Sequence, residues 1–349
     1  MKQTTIAVLF GGNSTEYEIS LQSACSVIES LNPEKYHIIL LGITRQGEWL
    51  KYGGSISRIK NDTWSQDGYC VPAVISPDRN THGILLLDGG KVTALPVDAA
   101  FPVLHGKNGE DGTVQGLLEM AGIPCVGCGT LSSALCMDKD VAHRLVHLAG
   151  IKTPACAVLY SSISDAELSN QTACLKYPLF VKPANAGSSF GITKVTDQSG
   201  LANAVKAAFR HDRKAIVEEA VDGFEVGCAI LGNETLTIGE VDEIELSQGF
   251  FDYTEKYTLK NSKIHMPARL DAKTANRIRQ AAAVIYRTLE CRGFARVDMF
   301  LTPENEIVFN EVNTIPGFTS HSRYPNMLKG IGMTFQHIVD ELIRLALQP

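Results

Sequence analysis

The chain has 349 residues, 44% of them hydrophobic and 20% charged, a globular composition with enough apolar surface for two or three domains. Its net charge of −6, without a basic run, excludes a nucleic-acid binder held by phosphate contacts. The early apolar run Ile6 to Phe10 is too short for a signal-peptide core and no later run reaches membrane-spanning length, so the expected setting is the cytoplasm with no membrane partner.

Ile6 to Phe10 reads as a buried strand, Gly11-Gly12-Asn13-Ser14-Thr15 as a turn, and Glu16 to Leu31 as a helix with Ile19, Ser23, Val27 and Leu31 on one stripe. Tyr36 to Ile43 returns as strand, the order with which a parallel, doubly wound sheet begins. A hairpin is predicted around Asp88-Gly89, and a strand over Ala99 to Leu104 that ends in His105-Gly106-Lys107-Asn108-Gly109-Glu110-Asp111-Gly112. Helices follow at Thr113 to Ala121, Ser132 to Gly150 and Gly200 to Phe209. Strands are expected at Tyr177 to Lys182, Ile192 to Val195, Ala215 to Glu219, Phe224 to Leu231 and Thr235 to Ile244. After an irregular stretch, Glu245 to Lys263, come a helix over Ala272 to Leu289, a hairpin of Phe294 to Leu301 with Glu306 to Val312, and a helix from Thr334 to Leu347. The expected domains are 1–125, 126–220 and 221–349.

The hairpin carries the clearest chemistry. Alternation puts Glu311 and Asn313 on one face, and pairing Leu301 near Glu306 sets Asp298 across from Phe309 on that same side. Hard oxygen donors grouped this way suit Mg²⁺, which takes one or two carboxylates and substrate phosphates; solvated surface acids are the alternative. Phe180 to Gly191 delivers Lys182 on a strand and then a Gly/Ser loop of backbone N–H groups and hydroxyls that can fold over phosphates. The edge Glu218, Glu219, Val221, with Glu225 beyond, can meet adenine and ribose. Lys139 is either surface charge or a second phosphate ligand, and Glu16 either caps its helix or faces a substrate ammonium. His143 and His147, at i and i+4, lack a third ligand, and packing or exposure outweighs metal binding. The nine scattered cysteines read as reduced thiols, the lone Cys125-Val126-Gly127-Cys128 included. No P-loop or dinucleotide fingerprint is present.

In register, Gly11 to Ser20, His105 to Gly112 and Asn310 to Ser322 resemble three signatures of the D-alanine–D-alanine ligases, within the ATP-grasp superfamily. The resemblance covers essentially the whole chain. It implies an ATP-grasp fold, α/β with α+β parts, in which an N-terminal parallel α/β domain precedes two α+β domains that clamp ATP. It implies ATP and two Mg²⁺ ions as cofactors, Mn²⁺ substituting, D-amino acids as substrates and a homodimer. By the same resemblance Glu16 holds the ammonium of the first D-alanine, with His105 beside its carboxylate. Lys139, Lys182 and Lys256 bind phosphates, and Glu218, Glu219, Val221 and Glu225 take adenine and ribose. Asp298, Glu311 and Asn313 hold the metals, and Arg296 and the N–H of Gly317 stabilise an oxyanion. Glu16, Ser188 and Tyr257 form a hydrogen-bonded set, with Glu245 to Lys263 as the lid.

Arg323, directly after Ser322, departs from the common pattern of an apolar residue facing the second D-alanine's methyl group. With Asp242 and Phe251 it resembles the VanG-type D-alanine–D-serine ligases of glycopeptide resistance, because a guanidinium suits a hydroxyl, directly or through a polar neighbour. The expected product is thus D-alanyl-D-serine for peptidoglycan precursors. The alternatives are a housekeeping D-alanine–D-alanine ligase and a non-catalytic nucleotide binder, with D-lactate use disfavoured by Glu255-Lys256-Tyr257.

Overall fold

The computed structural model describes residues 3–66, 68–187, 191–246 and 262–348. Three sheets follow one another along the chain. The first is built from β1 (Thr4–Gly11), β2 (Tyr36–Ile43), β3 (Trp49–Tyr52), β4 (Cys70–Ile75), β5 (Gly83–Asp88), β6 (Lys91–Pro96) and β7 (Ala99–Pro102), in the order β6-β5-β4-β3-β2-β1-β7. Only β2, β1 and β7 run parallel; β3 to β6 extend the sheet as an antiparallel meander, so the expectation of a parallel sheet holds for one end of it alone. The strands β3 and β4 are not legible in the sequence, β3 being four residues long between Gly47 and Gly53, and β4 interrupted by Pro72. The β5–β6 hairpin turns through Gly89 and Gly90, both at positive φ, as a two-residue turn of this hand requires.

Helix α1 (Tyr17–Ser30) packs on β1 through Tyr17, Leu21, Ala24 and Val27, while α2 (Ile56–Lys60) lies against it and α3 (Thr113–Ala121) covers the other face of the sheet. Gly11, at φ +87°, is where β1 passes β2 most closely. A methyl there would stand 2.1 Å from the Ile43 carbonyl oxygen, so no side chain fits.

The expected single helix from Ser132 to Gly150 is two, α4 (Thr130–Met137) and α5 (Lys139–Leu148). Asp138 breaks them with an extended backbone, and its carboxylate caps α5 by accepting the Val141 N–H. Lys214 Nζ clamps the same helix start, 2.7 Å from Asp138 and 2.8 Å from Asp140. The break turns Lys139, first residue of α5, inward, where it is buried.

The second sheet is antiparallel, β10-β9-β11-β8, from β8 (Cys156–Tyr160), β9 (Leu179–Pro183), β10 (Thr193–Val195) and β11 (Lys214–Glu219). Helices α6 (Asp165–Thr172) and α7 (Gln198–Ala208) contribute Leu168, Leu201 and Val205 to its core. The third sheet, β14-β13-β12-β15-β16, comprises β12 (Phe224–Gly232), β13 (Leu236–Leu246), β14 (Ser262–His265), β15 (Phe294–Leu301) and β16 (Ile307–Asn313). One face packs through Val226, Cys228, Val297 and Met299 on α8 (Ala272–Thr288). Toward the other lie α9 (Arg323–Gly330) and α10 (Phe335–Ala346), whose Tyr324, Met327 and Leu342 join the core of the first sheet.

The ends of the expected irregular stretch are strand: Glu245 pairs with Lys263, and Leu246 with Ser262. All nine cysteines are free thiols. Among the described residues no helix is long and apolar enough to cross a membrane.

Candidate active site

Register lines up the acidic residues. Asp242 on β13 pairs with Gly227 on β12, Gly227 with Asp298 on β15, and Asp298 with Glu311 on β16. The sequence sets Asp298 opposite Phe309; in the structure Leu301 pairs with Ile307, so Phe309 meets Met299, and a bulge after Asp298 moves the ladder one residue more, so that the two acids face each other directly. Arg296 and Asp298, two apart on one strand, share a face and form a buried ion pair at 2.6 to 3.0 Å. Asn313 Nδ2 donates to Asp298 at 2.9 Å.

Arg323, first residue of α9, lies over this row. Its Nε and Nη2 donate to Asp242 at 2.7 and 2.8 Å, and its Nη1 donates to Glu225 at 2.7 Å. Nη2 is also 3.5 Å from Asp298. Gly227 leaves the space: a methyl there would sit 2.4 Å from Arg323 Nη2 and 2.7 Å from Asp242 Oδ1. Arg323 is 9% exposed and Asp242 1%, which excludes a solvated surface arginine.

A cavity of about 520 Å³ opens between the second and third sheets. Lys139, Lys182, Glu218, Glu219, Val221, Glu225 and Glu311 all line it, with apolar walls from Phe180, Ile192, Ile244 and Phe300. Lys182 is 2.6 Å from Glu218, so the groups expected at phosphate and at adenine form a buried pair with each other. Likewise Glu225 faces the cavity while it accepts from Arg323. Lys139 Nζ donates to the Ala186 carbonyl at 2.6 Å and lies 3.8 Å from Glu311.

Lys139 and Glu311 also line a second, smaller cavity with Glu16, Glu110, Gly187 and Asn313. Glu16 stands at the start of α1, buried, and its side chain does not cap the helix. It approaches the backbone of Gly106 and Gly187 so closely that a Cβ on either would fall within 2.8 Å of its carboxylate. His105 is fully enclosed. Its Nδ1–H donates to the Ile315 carbonyl at 2.9 Å, and its Nε2 accepts from Ser23 at 3.1 Å. Burial pushes its pKa below the ordinary value, and the ring, engaged at both nitrogens, ties α1 to the 315–318 loop. Phe318 N donates to Ser23 too, and Gly317 lies beside Ser322, whose hydroxyl accepts from Thr319 N. Ser188, Phe251, Lys256 and Tyr257, and the interior of the expected lid, lie outside the described residues.

In the sequence Glu110 stands only within the motif His105 to Gly112, with nothing local to mark a role. Its two oxygens accept from Gly106 N at 2.8 Å and Ile315 N at 3.0 Å, tying two loops of the site together. Burial first, and Glu16 second, push its pKa from 4.5 up to about 8. The folded state thus keeps a proton that the unfolded chain has released between those values, so this group's contribution makes stability fall as pH rises from 4.5 to about 8 and level off above. Glu110→Gln, neutral at every pH, should melt with a flatter pH dependence across that window. Parallel melting profiles for the two proteins would refute the assignment.

Asp298 and Glu311 as carboxylates and Asn313 as an amide, on adjacent strands, are the hard donors a Mg²⁺ ion takes when phosphates complete its shell. Among the described residues no three His, Cys, Asp or Glu gather into a cage that would bind a metal by itself. His143 is buried and His147 exposed, so they form no metal pair.

Two family profiles match the chain: "D-ala D-ala ligase N-terminus" over residues 5–128 and "D-ala D-ala ligase C-terminus" over residues 145–344. A crystal structure of VanG D-Ala:D-Ser ligase from Enterococcus faecalis matches with a TM-score of 0.93 at 59% identity, covering 99% of this chain and 100% of that one. The D-alanine–D-alanine ligase of Caldicellulosiruptor bescii is 44% identical over 353 residues, covering 100% of this chain and 96% of its own. The vancomycin B-type resistance protein VanB of Enterococcus faecalis is also 44% identical, over 354 residues and 100% of both chains.

Proposed function

The chain belongs to the D-alanine–D-alanine ligase family, with its ATP-grasp fold and its ATP and divalent-metal chemistry, and from that premise we propose that it joins D-alanine to D-serine. The observation that carries the second substrate is the buried Arg323–Asp242 pair beside Asp298 and Arg296. A methyl group gains nothing from a charged surface, whereas a hydroxyl can hydrogen-bond to it. Arg323 has five N–H groups, and its contacts to Asp242 and Glu225 leave donors over. The likeness to VanG D-Ala:D-Ser ligase supports the same reading.

A carboxylate resists attack by an amine until it is activated, and ATP supplies that activation as an acyl phosphate, with Mg²⁺ offsetting the charge on the transferred phosphoryl group. The chain's own groups then divide the work. Glu219, which ends β11, and Val221, two residues beyond, offer a carboxylate and a backbone edge to adenine and ribose. Lys139 and Lys182 place two positive charges in the large cavity, where phosphates need them. Asp298, Glu311 and Asn313 would hold the two metal ions. Glu16, in the small cavity, holds the first D-alanine's ammonium, and Glu311 joins that cavity to the large one. Arg296 and the Gly317 N–H donate to the oxyanion that forms as the second amine attacks.

The 44% identity to the C. bescii D-alanine–D-alanine ligase favours a second reading, in which D-alanine is also the second substrate. Phosphate release with D-alanine alone, with added D-serine and with added D-lactate, the products identified by mass, separates the two. D-Alanyl-D-serine should dominate at equal concentrations. Dominant D-alanyl-D-alanine would replace the first reading with the second.

A further inference from the structure

His143, on α5 one turn beyond Lys139, is 3% exposed. Its Nε2 lies 2.8 Å from the Asn310 carbonyl oxygen, and a carbonyl only accepts, so Nε2 carries the proton. In the neutral ring Nδ1 is then a bare lone pair. It faces Glu218 Oε1 across 3.5 Å, and neither atom has a hydrogen-bond partner although both are buried. The other oxygen of Glu218 is the one paired with Lys182 at 2.6 Å. Two opposed lone pairs on buried atoms are unfavourable, and one proton between them turns repulsion into a charge-assisted bond.

We propose that His143 is a positioning residue for nucleotide binding: it holds Glu218, and through it Lys182, in place for the phosphates, and ties that pair by way of Asn310 to the strand that carries Glu311. The proposal deepens the reading above and rests on it for the identity of the anion that meets Lys182. When a phosphate draws on Lys182, the Glu218 carboxylate loses part of its compensation, and a proton on His143 Nδ1 restores it. The charged groups that face the ring are Glu218 from β11, Lys182 from β9 and Lys139 from its own helix, with the Phe309 ring edge from β16. Burial holds the His143 pKa below its ordinary value; Glu218 opposes that shift and the two lysines reinforce it. An anion against both lysines weakens their influence, so binding raises the pKa and takes up a proton.

Glutamine at this position puts an amide where Nε2 lies, and asparagine puts one near Nδ1. His143→Gln should therefore keep the Asn310 bond, raise the KM for ATP about tenfold and change kcat little. His143→Asn should do the reverse, lowering kcat more than it raises KM. Wild type should bind ATP more tightly at about pH 6 than at about pH 8, and His143→Gln should lose that difference. Calorimetry of ATP binding to each protein separates the failures. Wild type that does not bind ATP overturns the underlying reading. Wild type that binds, with both variants showing equal small changes and only a lowered melting temperature, overturns the role of His143 and leaves that reading standing. Should either variant fail to fold, the pH dependence of wild-type affinity, present or absent, decides.

Discussion

Glu311→Gln is expected to leave the fold intact and to reduce Mg²⁺-dependent turnover at least about a thousandfold. Glu311 is partly exposed near the end of β16, at the wall shared by both cavities, and glutamine keeps its shape while removing one negative charge. A hard divalent cation bound by two carboxylates and an amide loses much of its hold when one carboxylate becomes neutral. Asp298 would be a poorer probe. It is 1% exposed and neutralises Arg296, with Arg323 close by, so Asp298→Asn strands buried cations and damages structure as well as chemistry. The check is steady-state phosphate release over a Mg²⁺ titration, with circular dichroism to confirm the fold. Near-normal turnover at saturating Mg²⁺ would make Glu311 a bystander.

The hairpin that carries these acids was legible because two apolar runs flank a polar turn, and alternation then assigns each side chain a face. Its register was not, because the turn pairs Leu301 with Ile307 and a bulge after Asp298 adds one more residue, backbone events that leave no mark on the pattern of apolar and polar residues. The break at Asp138 shows the same limit. Ser132 to Gly150 has unbroken helical periodicity, and the carboxylate that caps α5 is fixed by Lys214, more than 70 residues away in sequence. Arg323 could be singled out by its place after Ser322. That it lies over Gly227, with Asp242 on one side and Asp298 on the other, follows from three strands meeting in register, which no local window contains. Glu110 and His143 stayed without roles because their partners, at 315 and 310, come together only through the fold.

The largest change in specificity is expected at Arg323. Arg323→Met by itself leaves Asp242 and Glu225 without their cation in a buried place, which costs about 3–5 kcal/mol, so lost activity in that variant would say little about substrate choice. Two variants lessen this: the first keeps a cation there, and the second leaves only the half-buried Glu225 without one. Arg323→Lys keeps the charge but loses the planar fork that engages Asp242 through two N–H groups. Arg323→Met combined with Asp242→Asn removes both charges of the pair and leaves the Asn oxygen able to accept from Gly227 N. A site that hydrogen-bonds a hydroxyl leaves polar groups unpaired when the hydroxyl is absent, while an apolar site rejects a hydroxyl only weakly. Losing one such bond amounts to about 1–3 kcal/mol, a shift in preference of roughly ten- to a hundredfold. Both variants should therefore lower the ratio of kcat/KM for D-serine to kcat/KM for D-alanine by that factor, the double variant through a rise for D-alanine as well as a fall for D-serine. The measurement is that ratio at fixed pH and Mg²⁺, alongside thermal melting. If both variants fold and the ratio stays at its wild-type value, Arg323 serves to neutralise the acids around it, and the preference for D-serine must be set elsewhere.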